Sequence, residues 1–433
     1  MKSHNKKAFC KLLANWLYSS EWYFTTLLGV TIQTVDHLPD DANKLIDELL
    51  SQFPVKPSCG EISSFFNKNK LLEAWFRCST QKPIVKYFNL DLIELPIQQP
   101  NQNLPQLVSI TDLADWLNVT SGELEWLADL KRHDSGRSKK LKHYHYSVIE
   151  KRRGGIRLIE SPKSLLKEVQ RKINLEMLSK LPIHNAAHGY CAQRSSITHA
   201  QKHTCKNTLV LFDIANCFQS IQWREVYQNL KSLAYPPEIT KYLTGLSTHQ
   251  ISKSDVVDGL SESQKALLLQ RHLPQGAPTS PTLSNLALYC LDKRLAGLSK
   301  KLHMDYSRYA DDLAFSTNKQ RDWHFLEPLV ASICIEEGFV LNHRKSRIIR
   351  AHQRQQLTGV IVNQFPNIDR RYYDRLKAIL TNCVRFGLES QNHENHEFFY
   401  AHLAGSVNYV STLNRNRGAK LRKILEQITV VAY

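Results

Sequence analysis

The sequence predicts an α+β protein, with helical segments at both ends and a mixed middle of short strands and helices. Three observations carry this. Apolar residues fall at helical spacing in residues 1–95, and the stretch from about Asp369 onward is again helical. Two alternating runs flank Gly154-Gly155, the pattern of a hairpin. Two further strand-like runs, Leu209-Val210-Leu211-Phe212-Asp213 and Ser307 through Ser316, carry acids where a buried strand should have none.

The totals set bounds. A length of 433 residues suits two to four domains. The formal net charge of +17 suits a polyanionic partner. Residues 131–172 hold 14 Lys/Arg against 4 Asp/Glu, so over half of the excess sits in about a tenth of the chain. A solvated surface mixes signs, so this stretch reads as a phosphate-contacting face. The nine cysteines include no CxxC pair and make an odd total, against a disulfide framework or structural zinc; each reads as a small buried hydrophobe. No apolar stretch is long enough for a bilayer, and the polar start is followed by no signal-peptide core, so a cytoplasmic protein without a membrane partner is expected.

In order, Phe9, Leu12, Leu13, Trp16 and Leu17, then Ala42, Leu45, Ile46 and Leu49, mark helices of a domain over residues 1–95 that carries no catalytic motif. A Pro/Gln/Asn-rich run marks a linker at 96–108. Two short helices follow between Ser109 and Asp129, capped by Thr111 or Asp112 and by Thr120 or Ser121. The segment Leu113 to Thr120 resembles a helix-turn-helix slightly, but a small packing motif fits it better. The hairpin at Gly154-Gly155 crowds Lys151, Arg152, Arg153 and Arg157 at one turn, either a triphosphate clamp or a solvated basic turn.

A helix is expected from Ser164 to about Leu181. Beyond it, His184, His188, His199 and His203 have no paired carboxylate or cysteine, so template contact or hydrogen-bonded packing suits them better than zinc. Pro274-Gln275-Gly276-Ala277-Pro278 forms a stiff loop that lets backbone lie against a base pair, and opens a helix from Thr282 to about Leu298. Tyr309, Leu313 and Phe315 alternate as a half-buried strand would, around Asp311-Asp312. A tight hairpin presenting acids to Mg²⁺ explains the cost of charge there, although an acidic turn alone would read the same way. If the fold brings Asp213 to this pair, two metal ions shared by three carboxylates permit in-line attack of a hydroxyl on a phosphate.

The order of these motifs resembles a prokaryotic reverse transcriptase of the retron and group II intron lineage, from about residue 109 onward. Phe212-Asp213-Ile214 with Phe218-Gln219-Ser220-Ile221 is similar to palm motif A, and Pro274 to Pro281 to motif B. Tyr309-Ala310-Asp311-Asp312 is similar to motif C, residues 338–345 to motif D, and Leu357-Thr358-Gly359 to motif E, the primer grip. Within the lineage retrons fit best. Their Asn-Ala-x-x-His and Val-Thr-Gly appear here as His199-Ala200-Gln201-Lys202-His203 and Leu357-Thr358-Gly359, each with one departure, and Cys217 stands where the family usually has Phe.

The resemblance implies a right-hand polymerase, with fingers and palm (an antiparallel sheet) over 109–365 and a helical thumb over 366–433. It implies that Asp213, Asp311 and Asp312, with the Ile214 carbonyl, hold two Mg²⁺, for which Mn²⁺ can substitute. Lys151 and Arg157 would meet the triphosphate of the incoming dNTP, Phe218 would exclude a ribose 2′-OH, and Gln275 and Gly276 would contact template and nucleotide. Lys345 would neutralise or protonate the leaving pyrophosphate. Tyr309, His199, His203, Leu357, Thr358 and Gly359 would face template or primer. The implied function is RNA-directed DNA synthesis on a dedicated structured non-coding RNA. It is primed from a 2′-OH and yields a short msDNA-type RNA–DNA molecule in anti-phage defence with a separate effector protein. No endonuclease or RNase H module is expected in the chain, so host RNase H would remove template. Two alternatives stand beside this: another defence-associated or abortive-infection reverse transcriptase, protein-primed or untemplated, and a non-catalytic RNA-binding scaffold.

Overall fold

The helical periodicity of the first segment is borne out by helices Lys6–Tyr18, Phe24–Thr34, Ala42–Gln52, Cys59–Lys68 and Lys70–Cys78. The structure, a computed structural model, describes residues 6–18, 22–36, 38–39, 41–78, 84–85, 104–131, 140–151 and 154–428. Phe9, Leu13 and Leu17 repeat every four residues, lie on one stripe, and are fully buried with Leu45, Ile46, Leu49 and Phe66. Part of the expected linker 96–108, residues 96–103, lies outside the described residues; in the rest of it Leu104 and Leu107 are buried, against a solvated linker there.

The chain divides into two compact units. The first comprises Met1–His184, Ile214–Arg294 and Leu326–Asn342. In it Ser109, not Thr111 or Asp112, caps the helix Ile110–Leu117: its Oγ accepts from the Asp112 amide, and the Asp112 carboxylate accepts from the Ser109 amide. Thr120 and Glu123 repeat this box for Ser121–Ala128. Leu113, Leu117, Leu124 and Leu127 are buried, the packing motif expected. Strands β1 (Tyr144–Glu150) and β2 (Ile156–Pro162) pair antiparallel, from Tyr144 opposite Pro162 to Glu150 opposite Ile156. Gly154 (φ 87°) and Gly155 (φ 79°) take the left-handed backbone the turn requires; Arg152 and Arg153 lie outside the described residues. The helix expected over 282–298 is instead two, Ser280–Ala287 and Tyr289–Leu302, broken at Leu288.

The second unit comprises Asn185–Asp213, Leu295–Phe325 and His343–Tyr433. Its centre is an antiparallel sheet of β3 (Thr208–Asp213), β4 (Asp305–Tyr309), β5 (Asp312–Thr317) and β6 (Arg347–Arg350), in the order β4-β5-β3-β6. Leu313 through Thr317 are all buried, so β5 is covered on both faces and not half-buried as its alternation predicts. Helices Arg370–Phe386, Phe399–Leu413 and Arg415–Leu425 bury Leu376, Leu380, Leu403, Val407 and Leu421 in one core with Leu209, Ala314, Leu357 and Val360. The described cysteines are free; Cys205 is exposed, against the buried role expected of it.

Candidate active site

The site of the second unit is built by register. β3 pairs with β5 so that Asp213 stands opposite Asp312. Tyr309 opposite Asp312 closes the β4–β5 hairpin, leaving Ala310-Asp311 as its two-residue turn. Ala310 has φ 56°, a left-handed conformation that costs energy for a residue with a Cβ and persists only where neighbours impose it. The neighbours are identifiable. Arg308 is fully buried, its amide donates to Ala186 O (2.7 Å), and its carbonyl accepts from the His188 amide (2.7 Å). Its guanidinium Nη1 donates to Ala310 O at 2.9 Å, tying the turn to its own strand. Gly189 lies so close that a Cβ there would sit 2.6 Å from the Ala310 amide nitrogen.

The acids crowd. Asp312 keeps an exposed edge, but the surrounding protein, then the charges of Asp311 and Asp213, push its carboxyl up to about 7, with Lys345 opposing. Lys345 Nζ donates to Asp213 Oδ1 at 2.6 Å. Among the described residues no group of three or more His, Cys, Asp or Glu side chains is arranged to hold a metal ion as it stands. The donor chemistry nonetheless fits a hard divalent cation: carboxylate oxygens from two adjacent strands, one with its proton affinity raised by burial and then by like charge, and a lysine serving as counter-charge.

Behind the hairpin is a histidine buttress. Ser307 Oγ lies 2.8 Å from His199 Nδ1 and 2.7 Å from His203 Nε2, while His203 Nδ1 lies 2.7 Å from Ser316 Oγ. His203 thereby links β4 to β5. Burial, then neighbouring cationic groups, lower His199 to about 3 and hold His203 well below the ordinary range, so both rings are neutral. Both side chains are fully enclosed. The expectation that they touch template or primer therefore meets rings with no surface to offer; the packing alternative describes their contacts. Tyr309 is partly buried, its ring 5.8 Å from that of His199. Thr358 (φ 44°) and Gly359 (φ 87°) form a tight turn closed by buried Leu357 opposite Val360.

The first unit holds the remaining expected residues. Lys151, at the β1–β2 turn, and Arg157, on β2, are exposed. Phe218 is half-buried in the helix Cys217–Ser220, and Ile214 bridges to Leu341. The Gln275-Gly276 loop is stitched to β2: the Glu160 amide donates to Gln275 O at 2.8 Å, and a Cβ on Gly276 (φ 132°) would sit 2.9 Å from Glu160 O. Beneath it Glu160 Oε2 meets His272 Nε2 at 3.0 Å, both side chains fully buried. Glu160, His272, Arg308 and Gly189 escape sequence reasoning. Glu160 leaves one trace, an acid two positions from Leu158 and from Pro162, on the strand face that they share.

Residues 149–362, which include all three acids, match the family described as reverse transcriptase (RNA-dependent DNA polymerase). The chain is 33% identical to the retron Mx65 reverse transcriptase of Myxococcus xanthus over 340 residues, 77% of this chain and 75% of that protein. The chain belongs to the retron reverse transcriptases. The retron Mx162 enzyme of the same organism is 35% identical over 270 residues, 60% of this chain and 54% of that protein. A solved Candida albicans telomerase in complex with telomeric RNA matches at a TM-score of 0.34 and 12% identity, covering 66% of this chain and 63% of that one; the likeness is too slight to argue from. As a reverse transcriptase the chain is an RNA-directed DNA polymerase with the right-hand polymerase fold, and enzymes of this kind use divalent ions such as Mg²⁺. Among the described residues no helix is long and apolar enough to cross a membrane.

Proposed function

We propose that this reverse transcriptase copies part of a dedicated structured RNA into short DNA, primed from a 2′-OH of that RNA and left joined to it through a branch. The reading rests on one observation above the others: Asp213 and the Ala310-Asp311-Asp312 turn meet at one end of a sheet whose family makes DNA on RNA. Asp213, Asp311 and Asp312, with the Ile214 carbonyl, would hold two Mg²⁺, or Mn²⁺. When bound, the ions supply counter-charge to the attacking and leaving oxygens of the phosphate.

The chain's own residues do the rest. Arg308, Gly189 and the His203–Ser307–Ser316 contacts hold the turn in place. Lys345 exchanges its contact with Asp213 for the leaving pyrophosphate. Lys151 and Arg157 receive the triphosphate of the incoming dNTP, Phe218 excludes a ribose 2′-OH, and Gln275 and Gly276 face template and nucleotide. Tyr309 and the Leu357-Thr358-Gly359 turn guide template and primer. His199 and His203 serve that task indirectly, through the hairpin, since neither is exposed. Residues 109–365 act as fingers and palm and 366–433 as thumb; residues 1–95 form a helical domain of separate role, joined by the linker 96–108. The setting is cytoplasmic anti-phage defence, with a separate effector protein and host RNase H trimming the template.

The test is extraction of nucleic acid from the protein purified out of its native host. The extract is treated with RNase and a debranching enzyme, and both strands are sequenced. A short, unique DNA joined 2′–5′ to one RNA is the expected result. DNA of mixed sequence, or DNA attached to protein, would move the chain to the protein-primed or untemplated class; RNA without DNA would leave only a scaffold.

A further inference from the structure

The C-terminal helices carry a feature that DNA synthesis at the acids does not use. A cavity of about 360 Å³ opens between Arg370–Phe386, Phe399–Leu413 and the segment joining them. That volume lies within the range of small-ligand sites. Three rings inside it lie nearly parallel. His396 and His402 stack at 4.7 Å with 11° between planes, and Phe399 lies 6.2 Å from His396 at 4° and 6.3 Å from His402 at 11°. Tyr372 and Arg375 stand at the rim, both exposed. Glu394 lines the cavity and lies 3.2 Å from His396 Nε2.

Phe399 is buried and accounts for itself as core. The two histidines do not: His402 is exposed and His396 only partly covered, so their stacking is more than hydrophobic packing needs. Parallel flat rings with an open end are the platform on which a planar heterocycle stacks. The surroundings select its carrier. Arg370–Phe386 holds Arg370, Arg371, Arg375, Lys377 and Arg385 against Asp374 alone, and Arg415–Leu425 holds five basic residues and no acid. This basic excess on two helices of the same unit suits a polyanion. A duplex keeps its bases stacked on one another, out of reach of a pocket, whereas a single strand can turn one out.

We propose that this cavity binds one unstacked base of the RNA strand, stacked on the His396–His402 platform, with Glu394 accepting from a base amino group and Arg375 meeting the adjacent phosphate. The choice of RNA over other polyanions rests on the reverse transcriptase reading.

The test is anisotropy of a labelled single-stranded RNA 15-mer and of a blunt RNA duplex of the same length, each titrated with the full chain across a salt series. The His396→Ala/His402→Ala variant should bind the single strand roughly tenfold more weakly, the scale of one lost base stack. Its duplex affinity and salt slope should stay unchanged, because no phosphate contact is lost. The His396→Phe/His402→Phe variant keeps the rings and should keep single-strand affinity. An equal fall on both RNAs, no fall on the single strand, or loss of affinity in the phenylalanine variant overturns the proposal. If the alanine variant does not fold, as circular dichroism would report, His402→Ala alone, at the exposed ring, takes its place with the same expected fall on the single strand only. Primer extension by the unaltered chain on an annealed RNA template is measured separately: its failure would remove the polymerase reading while leaving the binding result standing.

Discussion

Lys345 Nζ lies 2.6 Å from Asp213 Oδ1, a half-exposed lysine on a nearly buried carboxylate. The same carboxylate is a proposed metal ligand, so the lysine and a cation compete for its charge. Metal binding should therefore weaken the lysine contact. Lys345→Met should lower the Mg²⁺ concentration at half-maximal synthesis by about two- to fivefold, the worth of a partly exposed ion pair. Its maximal rate should fall because the pyrophosphate loses its partner. A Mg²⁺ titration of primer extension reads both; an unchanged midpoint would mean that the contact does not compete with metal.

Asp311→Asn and Asp213→Asn should each reduce synthesis by at least roughly a thousandfold, the loss expected when preorganised electrostatic stabilisation is removed. RNA binding should stay nearly intact, and the thermal stability of Asp311→Asn should not fall, because removing its charge relieves repulsion on Asp312; Asp213→Asn also gives up the ion pair with Lys345. Extension assays paired with anisotropy on the same preparations check this. Residual extension at a tenth of the wild-type rate would refute the metal assignment.

The outcome bears on what a sequence can disclose. Asp213, Asp311 and Asp312 are legible because charge in an apolar run is costly, and cost needs a reason. The hairpin at Gly154-Gly155 is legible because only the left-handed backbone closes that turn. The break at Leu288 is not, since helical spacing continues through it. Nor is the role of His203: a histidine among polar residues does not reveal two serines more than 100 positions away. Gly189 is likewise mute in sequence, because its importance lies in what occupies the space beside it.

His203→Ala should strip a partner from Ser307 and Ser316 at once. Ser307 keeps His199 (2.8 Å), but the Ser316 hydroxyl loses its contact with the ring; leaving a buried hydroxyl unpaired costs about 1–3 kcal/mol, so the urea midpoint should drop measurably. The pH dependence follows from sign. Burial lowers both His199 and His203, so the folded state favours neutral rings. Their contribution is present above the ordinary histidine range and is lost as pH falls below it. The wild-type chain should therefore lose stability on acidification from about pH 6.5 toward 4, and His203→Ala should show a shallower decline. Equal slopes would assign the acid sensitivity elsewhere.

The Glu160–His272 pair has the opposite sign. Burial acts to lower the His272 pKa, but the Glu160 charge and hydrogen bond outweigh it and leave the value raised. Arg271 and His249 lie near and carry no compensating negative charge. The stabilisation is complete below the unfolded histidine pKa and disappears as pH rises through the higher folded one. Subtracting the melting curve of Glu160→Gln from that of wild type should give a difference that shrinks from pH 6 to pH 9. Because Glu160 also underlies Gln275-Gly276, the variant should raise KM for dNTP more than it lowers kcat. A pH-independent difference would show that the pair is not ionised.

Gly189 supplies the sharpest separation of activity from stability. Its own φ is ordinary, so the backbone tolerates alanine; the obstacle is the Ala310 amide nitrogen, 2.6 Å from where the Cβ would sit, with the Tyr309 carbonyl carbon at 3.3 Å. These are backbone atoms of the hairpin that carries Asp311 and Asp312, so relief requires the turn itself to shift. Overpacking of this kind costs about 1–3 kcal/mol, which a chain of this size should survive folded. Misplacement of reacting groups by an ångström costs about a hundredfold in rate. Gly189→Ala should therefore remain folded with a modestly lower melting temperature and lose roughly two orders of magnitude in extension. Gly297→Ala is the control: nothing lies within 4 Å of its Cβ and it sits inside the helix Tyr289–Leu302, so it should be neutral or slightly stabilising with full activity. Should Gly189→Ala extend primers at the wild-type rate, the hairpin would be free to move without consequence, and the rigid placement of Asp311 and Asp312 would have no part in synthesis.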